Sequence, residues 1–109
     1  MRERHTSGPW LAEAADVFGD HNIVLLSSAN DCRAVAAVVS NMRDPSEVSA
    51  NAFLVAAAPD LLAVACEMLP RNLCLTNPNI PDSTVVPLDV TMGELRRIAA
   101  AIVKARGAA

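Results

Sequence analysis

Aromatic residues are scarce in this sequence, and neither sign of charge is in strong excess. Aromatics make up 3% of the 109 residues, and Tyr is absent. That leaves little material for a base-stacking platform or an aromatic ligand cage. The net charge of −3 has the opposite sign to that of a basic nucleic-acid-binding module. We therefore expect no nucleic acid as a direct ligand.

Motifs for phosphate, metal and covalent chemistry are also missing. The four glycines are isolated from one another, so no glycine-rich phosphate loop is present. The three cysteines are odd in number and have no paired spacing, and with the two histidines they form no zinc pattern. There is no nucleophile elbow either. We expect a protein that is not an enzyme and that holds no metal or cofactor.

Long hydrophobic runs are absent as well. The longest apolar region, 52–69, is interrupted by Pro59, Asp60 and Glu67. A membrane-spanning helix needs about 20 consecutive apolar residues. The first ten residues carry charges with no apolar run after them, which is not the pattern of a signal peptide. We therefore expect a chain in a reducing cytoplasm and away from the membrane.

The content of core-forming residues is high. Apolar residues make up 52% of the chain and charged residues 19%, which is typical of a folded domain rather than a disordered tail. The length predicts a single domain over residues 1–109, with residues 1–9 as an N-terminal arm.

The N-terminal half has the texture of a small sheet. Short β-branched runs flank an Asn30–Asp31 pair, which tolerates a tight turn. This pattern predicts a hairpin of residues 22–28 with residues 32–39. A further strand around 10–15, or one that ends near Val17 and Phe18, is expected beside it.

A helical segment is predicted over residues 44–69. Asp44 is placed as the N-cap, with Pro45 at the first helical position and Glu47 at the third. Pro59 predicts a kink near residues 57–58. The positions expected to face the core are Val48, Ala52, Val55 and Ala56, and then Leu61, Val64, Ala65 and Met68.

A second helix is predicted over residues 92–106. Thr91 and Glu94 have the spacing of a capping box, and Gly107 is placed as the C-cap. The predicted buried stripe is Leu95, Ile98, Ala99 and Ile102. The basic residues are predicted to form a solvated outer face: Arg96, Arg97, Lys104 and Arg106.

Residues 70–90 contain four prolines and predict a long irregular loop. Loops of this length are often functional. The alternative is a variable insertion without function. The candidate binding surface drawn from this loop and the last helix is Arg71, Asn72, Asn77, Asn79, Ile80, Arg96 and Arg97.

Together these elements predict an α+β fold, with a small antiparallel sheet of three to four strands packed against two to three helices. A sheet this small leaves apolar surface exposed, which a homodimer would bury. We therefore expect a homodimer.

Two strings resemble a group of small phage and prophage proteins. His-Thr-Ser-Gly-Pro-Trp at residues 5–10 is similar to their HTPGPW opening, and residues 51–62 are similar to their NARLIAAAPDLLEAL segment. The alanine-rich stretch from Ile98 to Gly107 resembles their C-terminal helix. The resemblance covers roughly a third of the chain. Ser7 stands in place of Pro, Phe53 in place of Arg, and residues 71–89 have no counterpart.

The resemblance implies a phage accessory protein that acts in the cytoplasm of a bacterial host. Small proteins of this provenance often bind and inhibit host defence complexes, including CRISPR effectors. An alternative is the sequestering of a signalling nucleotide, with phosphate contacts from Arg33, Arg43, Arg71 or Arg96. A third is a structural or regulatory role in phage production.

Overall fold

The computed structural model describes residues 5–25, 33–69 and 75–107. Three strands, β1 (Trp10–Ala12), β2 (His21–Leu25) and β3 (Ala36–Val38), precede three helices, α1 (Pro45–Ala56), α2 (Ala58–Met68) and α3 (Met92–Arg106). The strands form one antiparallel sheet in the order β1-β2-β3. This architecture confirms the predicted α+β class with a small sheet in the N-terminal half.

The antiparallel pairing of the predicted hairpin is confirmed within the described residues, between β2 and β3. Ile23 of β2 pairs with Ala36 of β3 on one side and with Ala12 of β1 on the other. Ile23 therefore stands between two alanines in the middle of the sheet. The small alanine side chains let a helix approach this part of the sheet closely. The turn predicted at Asn30–Asp31 lies outside the described residues.

Val17 and Phe18 lie in a turn between β1 and β2 and not at the end of a strand. Asp16 Oδ1 accepts hydrogen bonds from the backbone N–H groups of Phe18 and Asp20, at 2.9 and 3.0 Å. Val17 and Phe18 project from this turn and are 92% and 77% exposed. The idea that a strand ends at these two residues is therefore wrong. The Asp16 carboxylate ends the extended chain by closing a local turn.

Helix α1 covers the sheet with the predicted side chains. Val48, Ala52 and Ala56 are buried, and Val55 is partly buried against the same core as Ile23. The start of the helix differs from the prediction, since the Asp44 side chain caps no backbone N–H. Its Oδ2 accepts a hydrogen bond from Ser46 Oγ at 2.8 Å instead.

The break predicted at Pro59 is confirmed. Helix α1 ends at Ala56, α2 begins at Ala58, and the two are bent by 47°. Pro59 has no N–H to continue the ladder of hydrogen bonds. Among the described residues no single helix is long and apolar enough to cross a membrane, and α1 with α2 reaches that length and composition only as this bent pair.

The capping of α3 agrees with the prediction, and its orientation agrees only in part. Thr91 and Glu94 form the capping box, and Gly107 ends the helix at φ +70°. The residue that α3 buries is Ala101. Ile98 of the predicted stripe is half-buried, whereas Leu95 and Ile102 are 45% and 39% exposed.

Of the predicted solvated face, Arg96, Arg97 and Arg106 are exposed, and the Arg97 side chain is 56% exposed although it bonds to Glu67 on α2. Lys104 is the exception, because it is half-buried and bonds to Asp60 on α2.

Helix α2 and the segment that follows it bury little. Leu61, Val64 and Met68 are half-buried as predicted, but Ala65 is exposed, and α2 has no fully buried residue. Residues 75–90 contain no helix or strand, and each of them is exposed. The irregular loop is thus confirmed over these residues, while residues 70–74 lie outside the described chain.

Candidate binding site

Residues 5–9, the described part of the N-terminal arm, are folded back onto the first strand by Trp10. The indole Nε1 of Trp10 donates to the backbone oxygens of Thr6 and Ser7, at 3.2 and 3.3 Å. The His5 ring meets the Trp10 ring edge-on, with the ring centroids 6.5 Å apart. Trp10 itself is partly buried against the core of the sheet. One aromatic residue therefore ties the arm to the domain.

The arm lies against the start of α2. A Cβ atom added to Gly8 would stand 2.8 Å from Cβ and Cγ of Pro59, which is closer than real side chains approach. The Gly8–Pro9 peptide bond is cis. The HTSGPW string and the AAAPDLL string, distant in sequence, are therefore packed together at Gly8 and Pro59.

An open cavity of about 480 Å³ lies where these two segments meet. Its lining residues come from the arm and from one side of α2: His5, Ser7, Gly8, Pro9, Pro59, Asp60, Leu62, Ala63 and Cys66. The walls are mainly apolar, with the polar groups of His5, Ser7 and Asp60 among them. Apolar walls with a few polar groups are typical of binding sites.

Two ion pairs join α2 to α3, and one of them uses Asp60 from the cavity wall. Lys104 Nζ lies 2.7 Å from Asp60 Oδ2, and both side chains are about one-third exposed. Arg97 bonds to both carboxylate oxygens of Glu67. This hydrogen-bonded guanidinium lowers the pKa of the Glu67 carboxyl below its ordinary value of 4.5, and the same contact raises the pKa of Arg97.

The polar groups around the cavity are used mainly to hold the fold. His5 Nδ1 bonds to the backbone oxygen of Thr6 at 2.9 Å, and the Asp60 carboxylate is neutralised by Lys104. No group of three or more His, Cys, Asp or Glu side chains in the described ranges could hold a metal ion. The chemistry that this arrangement offers is apolar contact with polar groups at its edge.

The described residues of the predicted binding surface lie on two segments, the loop 75–90 and helix α3. Arg71 and Asn72 lie outside the described residues. The Asn77 side chain accepts a hydrogen bond from the Asn79 N–H at 2.9 Å and so closes its own turn. Ile80 is 46% exposed, as expected for a contact residue. Arg96 is exposed on α3, whereas Arg97 is bonded to α2.

The arginines considered as phosphate contacts lie on separate elements. Arg33 lines a small cavity of about 280 Å³ beside β3. Arg43 pairs with Glu47 at 2.8 Å at the start of α1, and Arg96 lies on α3. Arg71 is not among the described residues.

Sequence reasoning missed the cavity, although it singled out both segments that form it. Residues 5–10 and 51–62 stand out in the sequence only through their resemblance to phage proteins, because spacing along the chain does not show which segments touch. The sequence did hold one signal for this contact, which is Gly8 before Pro-Trp in one string and the helix-breaking Pro59 in the other. A bare backbone and a proline ring favour close packing.

Comparison with known proteins gives a family and no closer relative. No curated protein and no solved structure matches this chain. The sequence model of one family, described as Salmonella phage P22 protein Y8K6, matches residues 1–109, the whole chain. The expectation of a small phage protein is confirmed by this match, and the chain belongs to the family of Salmonella phage P22 protein Y8K6.

Proposed function

We propose that this phage accessory protein acts in the host cytoplasm by binding another protein, and that the cavity between the arm and α2 is its contact surface. The proposal depends on one observation. The HTSGPW string of the arm and the AAAPDLL string at the start of α2 pack together and line one open apolar cavity. A surface of this kind fits an apolar side chain of a partner, which it would remove from water.

The properties of the cavity favour a protein partner over a nucleotide. The described residues that line it include neither Lys nor Arg, the side chains that most often bind phosphate, and they include the carboxylate of Asp60, which repels it. Leu62 lies in its wall and remains 41% exposed, so it is available for contact. A binding role without catalysis also fits His5, whose Nδ1 is bonded within the arm. Inhibition of a host defence complex is the biological outcome that we propose for this contact.

The test is site-specific photo-crosslinking in infected or expressing bacteria, with the photoreactive residue placed at position 62. A matched control places it at Leu11, which is 44% exposed on β1. We expect a discrete crosslinked host protein from position 62 and none from position 11. Leu62→Arg should remove binding to the captured protein, whereas Leu11→Arg should keep it.

The loop surface predicted from the sequence supplies the competing outcome. If Ile80→Arg removes binding and Leu62→Arg keeps it, the contact lies on the loop and the cavity proposal is wrong.

Native mass spectrometry of the gently purified protein tests the nucleotide alternative. A retained adduct with the mass of a nucleotide would overturn the proposal of a protein partner.

A further inference from the structure

The cavity between the arm and α2 carries charge of one sign in its wall. Among the described residues that line it, Asp60 is the one acid, and neither Lys nor Arg is present. His5 is the other titratable group in the wall, and its Nδ1 is hydrogen-bonded to the backbone oxygen of Thr6 at 2.9 Å. The remaining described lining residues are uncharged at neutral pH. The formal charge that this wall presents is therefore negative.

The cation that neutralises Asp60 lies on the other side of this wall. Lys104 Nζ is 2.7 Å from Asp60 Oδ2, and Lys104 lines a neighbouring cavity of about 350 Å³ between α2 and α3. Asp60 lines both cavities, whereas Lys104 does not line the one beside the arm. Within the described ranges the Asp60 carboxylate accepts a hydrogen bond from Lys104 alone, and the side chain is 35% exposed. An ionised carboxylate can accept several hydrogen bonds, so Asp60 has room for a second donor from the arm side.

The surface beside Asp60 suits the stem of a basic side chain. Pro59, Leu62 and Ala63 line the same cavity, and Leu62 is 41% exposed. Lys and Arg side chains lay their methylene stems along apolar surface and keep the charged head in polar surroundings. A side chain without a charge would cover the apolar wall, but it would take water from the carboxylate and give no hydrogen bond in return. An apolar wall that ends at a carboxylate therefore favours a side chain with both parts.

We propose that the partner protein inserts an arginine into this cavity, with its stem on Pro59 and Leu62 and its guanidinium at Asp60. The apolar contact of the proposed function is then made by the methylene stem. Arginine is favoured over lysine because a guanidinium is more weakly hydrated and because arginine is common at the centres of protein interfaces. The inference rests on the proposed function, since it names the side chain that the same cavity receives. It also predicts competition, because the arginine and Lys104 would share one carboxylate.

The first test uses a probe in place of the partner. The probe n-butylguanidinium carries the stem and head group of arginine, and n-butylurea is its neutral counterpart of nearly the same shape. Binding is followed at neutral pH and low salt by NMR, through the backbone amide shifts of the isotope-labelled protein. We expect n-butylguanidinium to shift the amides of Gly8, Leu62 and Ala63 saturably and n-butylurea to bind about tenfold more weakly, as for the loss of one charge-assisted hydrogen bond. Equal binding of the two probes, or shifts at other acidic residues without shifts in the cavity, would overturn the inference.

Two substitutions break the same ion pair and should change binding of n-butylguanidinium in opposite directions. Asp60→Asn removes the carboxylate and should weaken binding by about tenfold. Lys104→Gln removes the competing cation and should strengthen binding by about threefold, the scale of a partly exposed ion pair. If Asp60 served only to hold α2 to α3, both substitutions would act on binding in the same direction. Changes in the same direction, with helix content kept in circular dichroism, would therefore contradict the inference.

The host protein captured through position 62 separates this inference from the proposed function. Asp60→Asn should reduce retention of that protein, whereas Asp82→Asn, the same change of charge at an exposed residue of the loop 75–90, should keep it. Full retention by Asp60→Asn would leave the cavity as the contact surface and overturn the arginine contact. If no protein is captured through position 62, the proposed function fails, while saturable binding of n-butylguanidinium that depends on Asp60 would still support a cavity that takes a basic side chain.

Discussion

Helices α1 and α2 follow each other directly and have 12 and 11 residues, yet they are held in different ways. Helix α1 buries Val48, Ala52 and Ala56 over the sheet. Helix α2 buries no residue fully and is joined to α3 by two ion pairs at its edge. Both helices are rich in apolar residues, so composition alone does not make a core. A helix needs a second layer that fits its apolar side, and only α1 has one in the sheet.

The largest expected effect compares a core residue with a residue of α2. Ile23 is fully buried under α1, and Ile23→Ala should lower the free energy of unfolding by about 3 kcal/mol through lost burial and the cavity left behind. Val64 is half-buried on α2, and Val64→Ala should cost about 1 kcal/mol or less. Urea denaturation followed by circular dichroism measures both. Equal losses would show that α2 is part of the same core as α1.

The second prediction concerns the C-terminal end of α3. Gly107 has φ +70°, and a Cβ there would overlap the ring of Phe53. Gly107→Ala should therefore destabilise the protein by about 1 to 2 kcal/mol in thermal unfolding. In a Phe53→Ala background the ring is gone, so the cost should fall to that of the left-handed backbone alone. An unchanged cost in that background would exclude the ring as a cause.

The third prediction compares the N-caps of α3 and α1. Thr91→Ala removes the hydroxyl that accepts the Glu94 N–H at 3.1 Å and should cost about 1 kcal/mol. Asp44→Ala should change the free energy of unfolding by about 0.5 kcal/mol or less, because the Asp44 side chain caps no backbone group. Chemical denaturation of the two variants checks the contrast. A larger loss for Asp44→Ala would show that its carboxylate stabilises α1 after all.

The smallest effect is the pH dependence of the α2–α3 contact. The pKa of Glu67 is lowered in the folded protein by Arg97, so the folded state favours the ionised carboxyl. This contribution is present above the ordinary value of 4.5 and is lost as pH falls through the lowered value. Both side chains are well exposed, so solvent screening keeps it small.

The measurement is the difference in Tm between the wild-type chain and Glu67→Gln as a function of pH. We expect the wild type to be the more stable above pH 4.5. The difference should close as the pH falls below that value and as salt is added. A difference that persists in acid and in high salt would mean that the carboxylate stabilises the helix pair by some means other than its charge.

Local rules predicted much of this fold. The strands around Ile23 and Ala36, the break at Pro59 and the capping box at Thr91 each depend on residues close in sequence. The face of α3 could not be predicted in the same way. Its apolar stripe is the stronger hydrophobic pattern, but the residue that α3 buries is Ala101, a small residue outside that stripe.

The candidate site depended even more on distant contacts. The spacing of residues within the arm and within α2 does not show that the two segments touch. The hydrogen bond from Trp10 to the arm and the bend between α1 and α2 bring them together. The predicted surface was drawn from residues that look exposed, and the described ones among them are exposed. Exposure alone did not show which of them converge.

The contact between Gly8 and Pro59 places a joint restriction on two positions that are 51 residues apart in the sequence. A residue larger than glycine at position 8 is tolerated only if the ring at position 59 is removed or the arm moves away from α2. Proteins of this fold should therefore change the two positions together rather than singly. Gly8→Ala combined with Pro59→Ala should keep the arm in place where Gly8→Ala alone displaces it.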